Sequence, residues 1–281
     1  MGYLACAPDP RLAPFVESLW IQEEPAADEP CEPTVLLPVG RATLVLEYGD
    51  PFAEVDARGD AVRLPPALLA GQRHTPARVQ ALGRTGLVLV NFRPAGAAAF
   101  FGPQEDCSDR FVPLEALIAP RAVERGLAEI RAAGAPEGRL AAAQRFLLGI
   151  WPAALPDARV VAATERILRV EGRTPVEGLA RTLGLGRRQL ARLFARELGL
   201  GPKAFARVVR FQCALRRARA GQSWARVAPA AGFQDQAHLT RECTALTGRT
   251  PGQLIAGVEE REIGRFFNDA DPRLARFATY L

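Results

Sequence analysis

Two clusters of polar side chains in the second half of the chain have the types and spacing needed to read the edges of nucleic-acid bases. One comprises Arg187, Arg188, Gln189, Ala191, Arg192 and Arg196, the other Gln234, Gln236, Ala237, His238 and Arg241. Arg matches the paired acceptors of guanine and Gln the donor–acceptor pair of adenine, while Arg196, farther along its segment, suits a phosphate. Leu190, Leu193 and Phe194 fall on the opposite, inner side at helical spacing, as do Leu239 and Cys243. His238 fits a position beside a phosphate as well as one on a base edge. Arg187 and Arg188 fit solvated surface arginines equally well, since the chain holds one Lys among its 36 basic residues and favours Arg everywhere.

The elements that must position these residues repeat. A segment from Leu179 to Pro202 and another from Val227 to Pro251 share register: Gly184 pairs with Gly232 at an offset of 48. Leu190/Leu239, Arg192/Arg241, Gly199/Gly248 and Pro202/Pro251 pair at 49, so the second turn holds one added residue. Each unit reads as a short helix, a Gly-containing turn and a second helix ending at Gly, the helix-turn-helix pattern. The duller reading is a helical bundle whose helices happen to end at Gly. The connector, Lys203 to Ala220, is 18 residues, or ~27 Å as a helix, against ~34 Å for one turn of DNA. With lateral offset added, a rigid helix of that length sets two recognition helices into successive major grooves, and one chain reads an asymmetric site.

Charge follows the same division. Residues 1–156 carry 14 Arg against 19 Asp and Glu, net −5, while residues 157–281 carry 21 Arg and Lys203 against 12 acids, net +10. The mild overall +5 thus hides an acidic front and a basic back, which points to a polyanion partner at the back. Five scattered cysteines (Cys6, Cys31, Cys107, Cys213, Cys243) with no CxxC pair argue against a disulfide scaffold or a zinc knuckle. Convergence of Cys6, Cys31 and Cys107 as a thiol or metal sensor has no support from spacing. With only His74 and His238 there is no His-rich metal centre, and neither metal nor cofactor is expected. No apolar run approaches the ~18 residues of a membrane span, and Met1-Gly2-Tyr3 lacks a signal pattern, so a cytoplasmic protein without membrane contact is expected.

The 281 residues suggest about two domains. Asp9-Pro10-Arg11-Leu12 reads as a helix start, residues 23–33 as an acidic, Pro-rich loop, and Thr34 to Phe92 as short strands. Strands are expected over Thr43–Tyr48, Arg78–Leu82 and Leu87–Phe92, in a small barrel or sandwich, then a helical turn or two from Gly96 to Phe101. Arg121–Ala133 and Arg139–Ile150 read as amphipathic helices, Trp151–Pro156 as a break, and Ala158 to Ile255 as helix throughout. The expected division is a β-rich domain over 1–120, a helical linker over 121–156, a tandem helix-turn-helix domain over 157–256 and a tail over 257–281. Trp20, Tyr48, His74, Phe92 and Arg93 are the candidate lining of an effector pocket; core packing is the competing role for Trp20 and Phe92, and an intradomain ion pair for Arg93.

The run Gly232-Phe233-Gln234-Asp235-Gln236-Ala237-His238-Leu239-Thr240-Arg241, followed by Thr247-Gly248-Arg249-Thr250-Pro251, closely resembles the signature of AraC/XylS-family transcription regulators. The resemblance covers about residues 160–256. Leu36-Leu37-Pro38-Val39-Gly40, Ala70-Gly71-Gln72 and Asn91-Phe92-Arg93-Pro94-Ala95-Gly96 carry a weaker resemblance to an effector domain of some members. It implies an α+β chain: a cupin-like N-terminal β-barrel with helices, and an all-α C-terminal domain of two helix-turn-helix motifs joined by a long helix. It implies further a non-enzymatic regulator that binds double-stranded promoter or operator DNA and usually activates through RNA polymerase. Its N-terminal half then binds a small-molecule effector or forms a homodimer.

Three departures stand out. Gly186 occupies the cap of the first recognition helix where the family commonly has Ser or Thr. Cys243 stands where Phe is usual, which shrinks the second core, and Pro229 falls inside a helix, where it should remove a donor and kink the turn. Two rival readings remain open: a cupin catalyst fused to a DNA-binding domain, for which one His in that half is too few, and an adaptor whose N-terminal half only dimerises. Asp271–Phe277 repeats Asp9–Phe15 at six of seven positions, to which no function is attached.

Overall fold

A computed structural model describes residues 2–26, 33–151 and 154–256. Short runs rich in Val, Leu and Ile, punctuated by Gly and Pro, form ten strands: β1 (Gly2–Cys6), β2 (Val16–Glu24), β3 (Thr34–Leu36), β4 (Thr43–Glu47), β5 (Phe52–Val55), β6 (Ala61–Arg63), β7 (Ala67–Ala70), β8 (Ala77–Ala81), β9 (Thr85–Phe92) and β10 (Phe111–Pro113). They make two antiparallel sheets, one ordered β1-β2-β9-β4-β7-β10 and the other β3-β8-β5-β6. The expected strands lie within a residue or two of β4, β8 and β9.

The opening residues differ from expectation. Asp9 to Phe15 makes turns and no helix: Asp9 accepts the N–H groups of Leu12 and Ala13 at 2.8 and 3.1 Å. Pro14 then has no N–H with which to carry a helix forward. The chain runs straight into β2, which the sequence did not announce. Both faces of β2 are covered, so it lacks the apolar–polar alternation of a half-exposed strand. Val16, Leu19 and Ile21 enter the main core, while Trp20 faces Phe52 of the smaller sheet.

Helix α1 (Gly96–Phe101) matches the expected short turn of helix, and α2 (Pro120–Ala132) and α3 (Pro136–Gly149) start at their prolines. Residues expected as a helical linker are thus two helices whose inner faces, Val123, Leu127, Ile130, Leu140 and Leu147, share one core with the larger sheet. The remaining helices are α4 (Ala158–Arg169), α5 (Val176–Thr182), α6 (Arg187–Leu198), α7 (Pro202–Arg219), α8 (Trp224–Ala230), α9 (Gln236–Thr247) and α10 (Pro251–Ala256). Helix α7 is the spine of this half. Phe205, Val209 and Cys213 pack with α4–α6, and Val208, Phe211, Ala214 and Leu215 pack with α8–α10.

The two halves are docked on each other. Leu37, from the segment after β3, joins the core of the second helical unit, a burial that stabilises by about 1.5–3 kcal/mol. Gln212 Nε2 donates to the Pro38 carbonyl at 2.5 Å, and Ala95 packs into the core of the first unit. The backbone N–H of Gln104 donates to the Arg196 carbonyl on α6 at 2.8 Å. Cys31 and the 257–281 tail, with its repeat of the Asp9 segment, lie outside the described residues.

Candidate nucleic-acid interface

The two units superpose in sequence register down to single hydrogen bonds. In the first, α5 ends in a turn where Gly184 takes φ +65° and Leu185 N–H donates to the Ala180 carbonyl at 2.9 Å. In the second, α8 ends where Gly232 takes φ +80° and Phe233 N–H donates to the Ala228 carbonyl, also at 2.9 Å. A left-handed residue followed by that six-to-one bond closes a helix sharply, and glycine adopts it without strain. Helices α6 and α9 are each 12 residues long, start 49 apart and end at left-handed Gly199 and Gly248.

Their outward faces carry the expected residues. Arg187, Arg188, Gln189, Ala191, Arg192 and Arg196 are exposed on α6, and Gln236, Ala237 and Arg241 are exposed on α9. Leu190 and Phe194 are buried beneath the first face, Leu239 and Cys243 beneath the second, and Leu193 is half-buried. The side chains of Arg188, Arg192 and Arg241 have no ion pair or hydrogen bond among the described residues. Arg187, by contrast, pairs with Glu177 of α5 at 2.6 Å, and Arg196 Nε lies 3.8 Å from Glu197. The first cluster therefore comes as one exposed face with two of its guanidiniums already engaged.

The second cluster begins just ahead of its helix. Gln234 is exposed but precedes α9, and Asp235 is the N-cap: its carboxylate accepts the His238 N–H at 2.6 Å. An acid directly before a helical run is a start signal that the sequence contained. His238 is half-buried, with its Nδ1 accepting the Gln234 N–H at 3.4 Å and its ring edge-on to Phe233 at 5.5 Å. It shapes the turn, leaving its remaining nitrogen to any contact outside. Gly186 caps α6 with no side-chain bond, in line with its lack of one. Burial pushes the Cys243 thiol up to about 12, so it is a neutral filler of the second core. Pro229 sits exposed in α8, and the bonds on either side, Val227 N–H to Ser223 and Ala231 N–H to Val227, are kept.

The candidate effector residues are not gathered in one place. Trp20 packs between the sheets and donates to Ser18 Oγ at 2.8 Å, while Phe92 is buried in the main core against Phe100 and Phe101. Tyr48 donates to Glu23 at 2.8 Å under the Arg139 guanidinium, at one end of the larger sheet. His74 is exposed and pairs with Asp109 at 2.6 Å, and Arg93 donates to the Ala13 carbonyl at 2.7 Å. The sequence missed a polar group between the sheets. Thr43 donates to Asn91 at 2.9 Å and Asn91 to Ser18 at 3.4 Å; farther along β2, beyond Trp20, the buried Gln22 Oε1 has no partner among the described residues. Among the described residues no three His, Cys, Asp or Glu are gathered as a metal site, and no helix is long and apolar enough to cross a membrane.

Residues 179–257 match the family described as a helix-turn-helix domain, the span from α5 to just past α10. The C-terminal domain is an AraC-type helix-turn-helix domain. Ahead of it, residues 4–112 match a domain of unknown function, DUF6597, which spans both sheets and α1. No curated protein compared with the chain matches it. Among solved structures, ToxT from Vibrio cholerae is similar at 8% identity, over 84% of this chain and 98% of that one, with a TM-score of 0.45. A fatty-acid-bound ToxT from the same organism is similar at 10% identity, over 90% and 94%, again at 0.45. The AraC-like transcriptional activator CuxR is similar at 16% identity, over 82% and 89%, at 0.27. The helix-turn-helix match supports DNA binding by the chain.

Proposed function

We propose that the chain is a DNA-binding transcription regulator that reads two successive major grooves with α6 and α9. The observation that carries this reading is the pair of exposed, unpaired arginines Arg192 and Arg241, 49 residues apart at the same position of two helices. The two helices belong to units packed on two faces of the shared helix α7. A guanidinium without an acidic partner keeps its donors for guanine or phosphate. Arg188 joins them, while Arg187 must exchange Glu177 for DNA.

The N-terminal half controls the regulator in this reading, because it touches both helical units. The hydrogen-bonded polar group of Ser18, Thr43 and Asn91 supports a small hydrogen-bonding effector between the sheets. An effector that favours one seating of the halves over another shifts DNA affinity by its difference in affinity for the two. Activation through RNA polymerase, homodimerisation and cytoplasmic action complete the proposal on the family resemblance alone, as does the absence of enzymatic activity. A footprint of the full chain on DNA flanking its own gene tests the reading. Two protected major grooves about one turn apart, weakening steeply with salt, are expected; salt-sensitive binding with no discrete footprint would overturn it.

A further inference from the structure

Helix α7 carries the cores of both units on two of its faces. A second point of attachment joins the units as well.

It is the segment joining α4 to α5, residues 170–175. Gly172 takes φ +74°, and a Cβ there would lie 2.2 Å from the Ala206 carbonyl oxygen and 2.9 Å from the Arg210 nitrogen. The loop backbone is therefore pressed onto α7. Beside it Glu171, itself at φ +54°, reaches Arg217 at 2.9 Å, Arg216 at 3.5 Å and Arg173 at 3.8 Å. One carboxylate ties the loop of the first unit to the far end of α7. The loop then meets the second unit: a Cβ on Gly232 would sit 2.9 Å from Arg173 Cγ. Arg210, from the middle of α7, lies over the Phe233 ring at 5.3 Å, and Phe233 meets His238 in the first turn of α9.

We propose that Glu171, Gly172, Arg173 and Arg210 form a wedge that fixes the separation and rotation of α9 relative to α6, and so sets which half-site spacing the protein accepts. These are positioning residues. They do not need to touch DNA, and the inference rests on the two-groove reading above.

The test uses the full chain and duplexes carrying its footprinted site with one or two base pairs inserted or removed between the two protected grooves. Each added pair moves one half-site by ~3.4 Å and turns it by about 34°. The parent should lose about tenfold in affinity or more per pair. Glu171→Gln and Arg210→Met should flatten that profile to about threefold or less while still binding the parent spacing. Two variants guard against misfolding of either, and circular dichroism checks each fold. Loss of stability alone lowers affinity for every spacing alike and leaves the profile's shape unchanged. Folded variants that discriminate as the parent does would overturn the wedge. A parent indifferent to spacing would overturn the two-groove reading itself, and the wedge with it.

Discussion

Helices α6 and α9 bury the same four positions and fill them with different residues. Leu190 and Leu239 correspond, but Phe194 faces Cys243 across the repeat, Glu197 faces Leu246, and Leu198 faces Thr247. Helix α9 is capped by its own Asp235 and ends at Gly248, where an added Cβ would meet nothing within 4 Å. Helix α6 has only Gly186 at its start, and its end is seated on the N-terminal half. There the Gln104 N–H reaches the Arg196 carbonyl, and a Cβ on Gly199 would meet the Gln104 carbonyl oxygen at 2.6 Å. The start of the second recognition helix is thus capped by its own turn, whereas the end of the first is held by a neighbour from the other half of the chain. The N-terminal half meets the second unit as well, through Leu37 in its core.

The largest effect that separates the units is at their terminal glycines. Both are left-handed, Gly199 at φ +78° and Gly248 at φ +69°. Gly248→Ala should cost about 1–2 kcal/mol from backbone strain alone. Gly199→Ala should cost clearly more, because its methyl also strikes the Gln104 backbone. Urea unfolding measures both, and equal losses would mean that the N-terminal half does not seat on α6. The caps give a smaller contrast. Asp235→Ala should destabilise by about 0.5–2 kcal/mol, whereas Gly186→Ser should gain only a few tenths. A large gain at 186 would show that α6 starts as an uncapped, fraying end.

The smallest contrast is electrostatic. Burial raises the Glu197 carboxyl above its ordinary range, against the lowering pull of the Asp157 backbone N–H and Arg196. A raised folded value means that this group supports the fold below the ordinary carboxylate range and loses that support as pH climbs through the raised value. Gln at this position does not titrate. Glu197→Gln should therefore match the parent most closely in acid and gain on it towards neutral pH. A stability difference that is flat with pH would contradict this account.

The helical half was legible because its signals are local. Glycines at 184, 232, 199 and 248 mark turns that only their own backbone decides, and the apolar spacing of Leu190 and Leu239 names the inner faces. The N-terminal half hid its first long strand, since β2 is covered on both sides and carries Ser18 and Gln22 where alternation would predict exposure. Asp9-Pro10 offers a good helix start that Pro14 ends within a turn. Leu37 gave no hint that it belongs to the core of the second helical unit, because the rest of that core's buried residues come from α7 to α10, more than 170 residues later. The effector candidates were chosen by residue type, and type carries no information about convergence.

The central claim is that each recognition helix reads its own groove, and the most direct test is a pair of footprints on the same operator. Arg192→Ala and Arg241→Ala should each weaken specific binding by about 1–3 kcal/mol. Each should also lose protection mainly over one groove, and the two lost grooves should lie about one helical turn apart. If both variants footprint as the parent does, or both lose the same groove, α6 and α9 are not the paired readers described here.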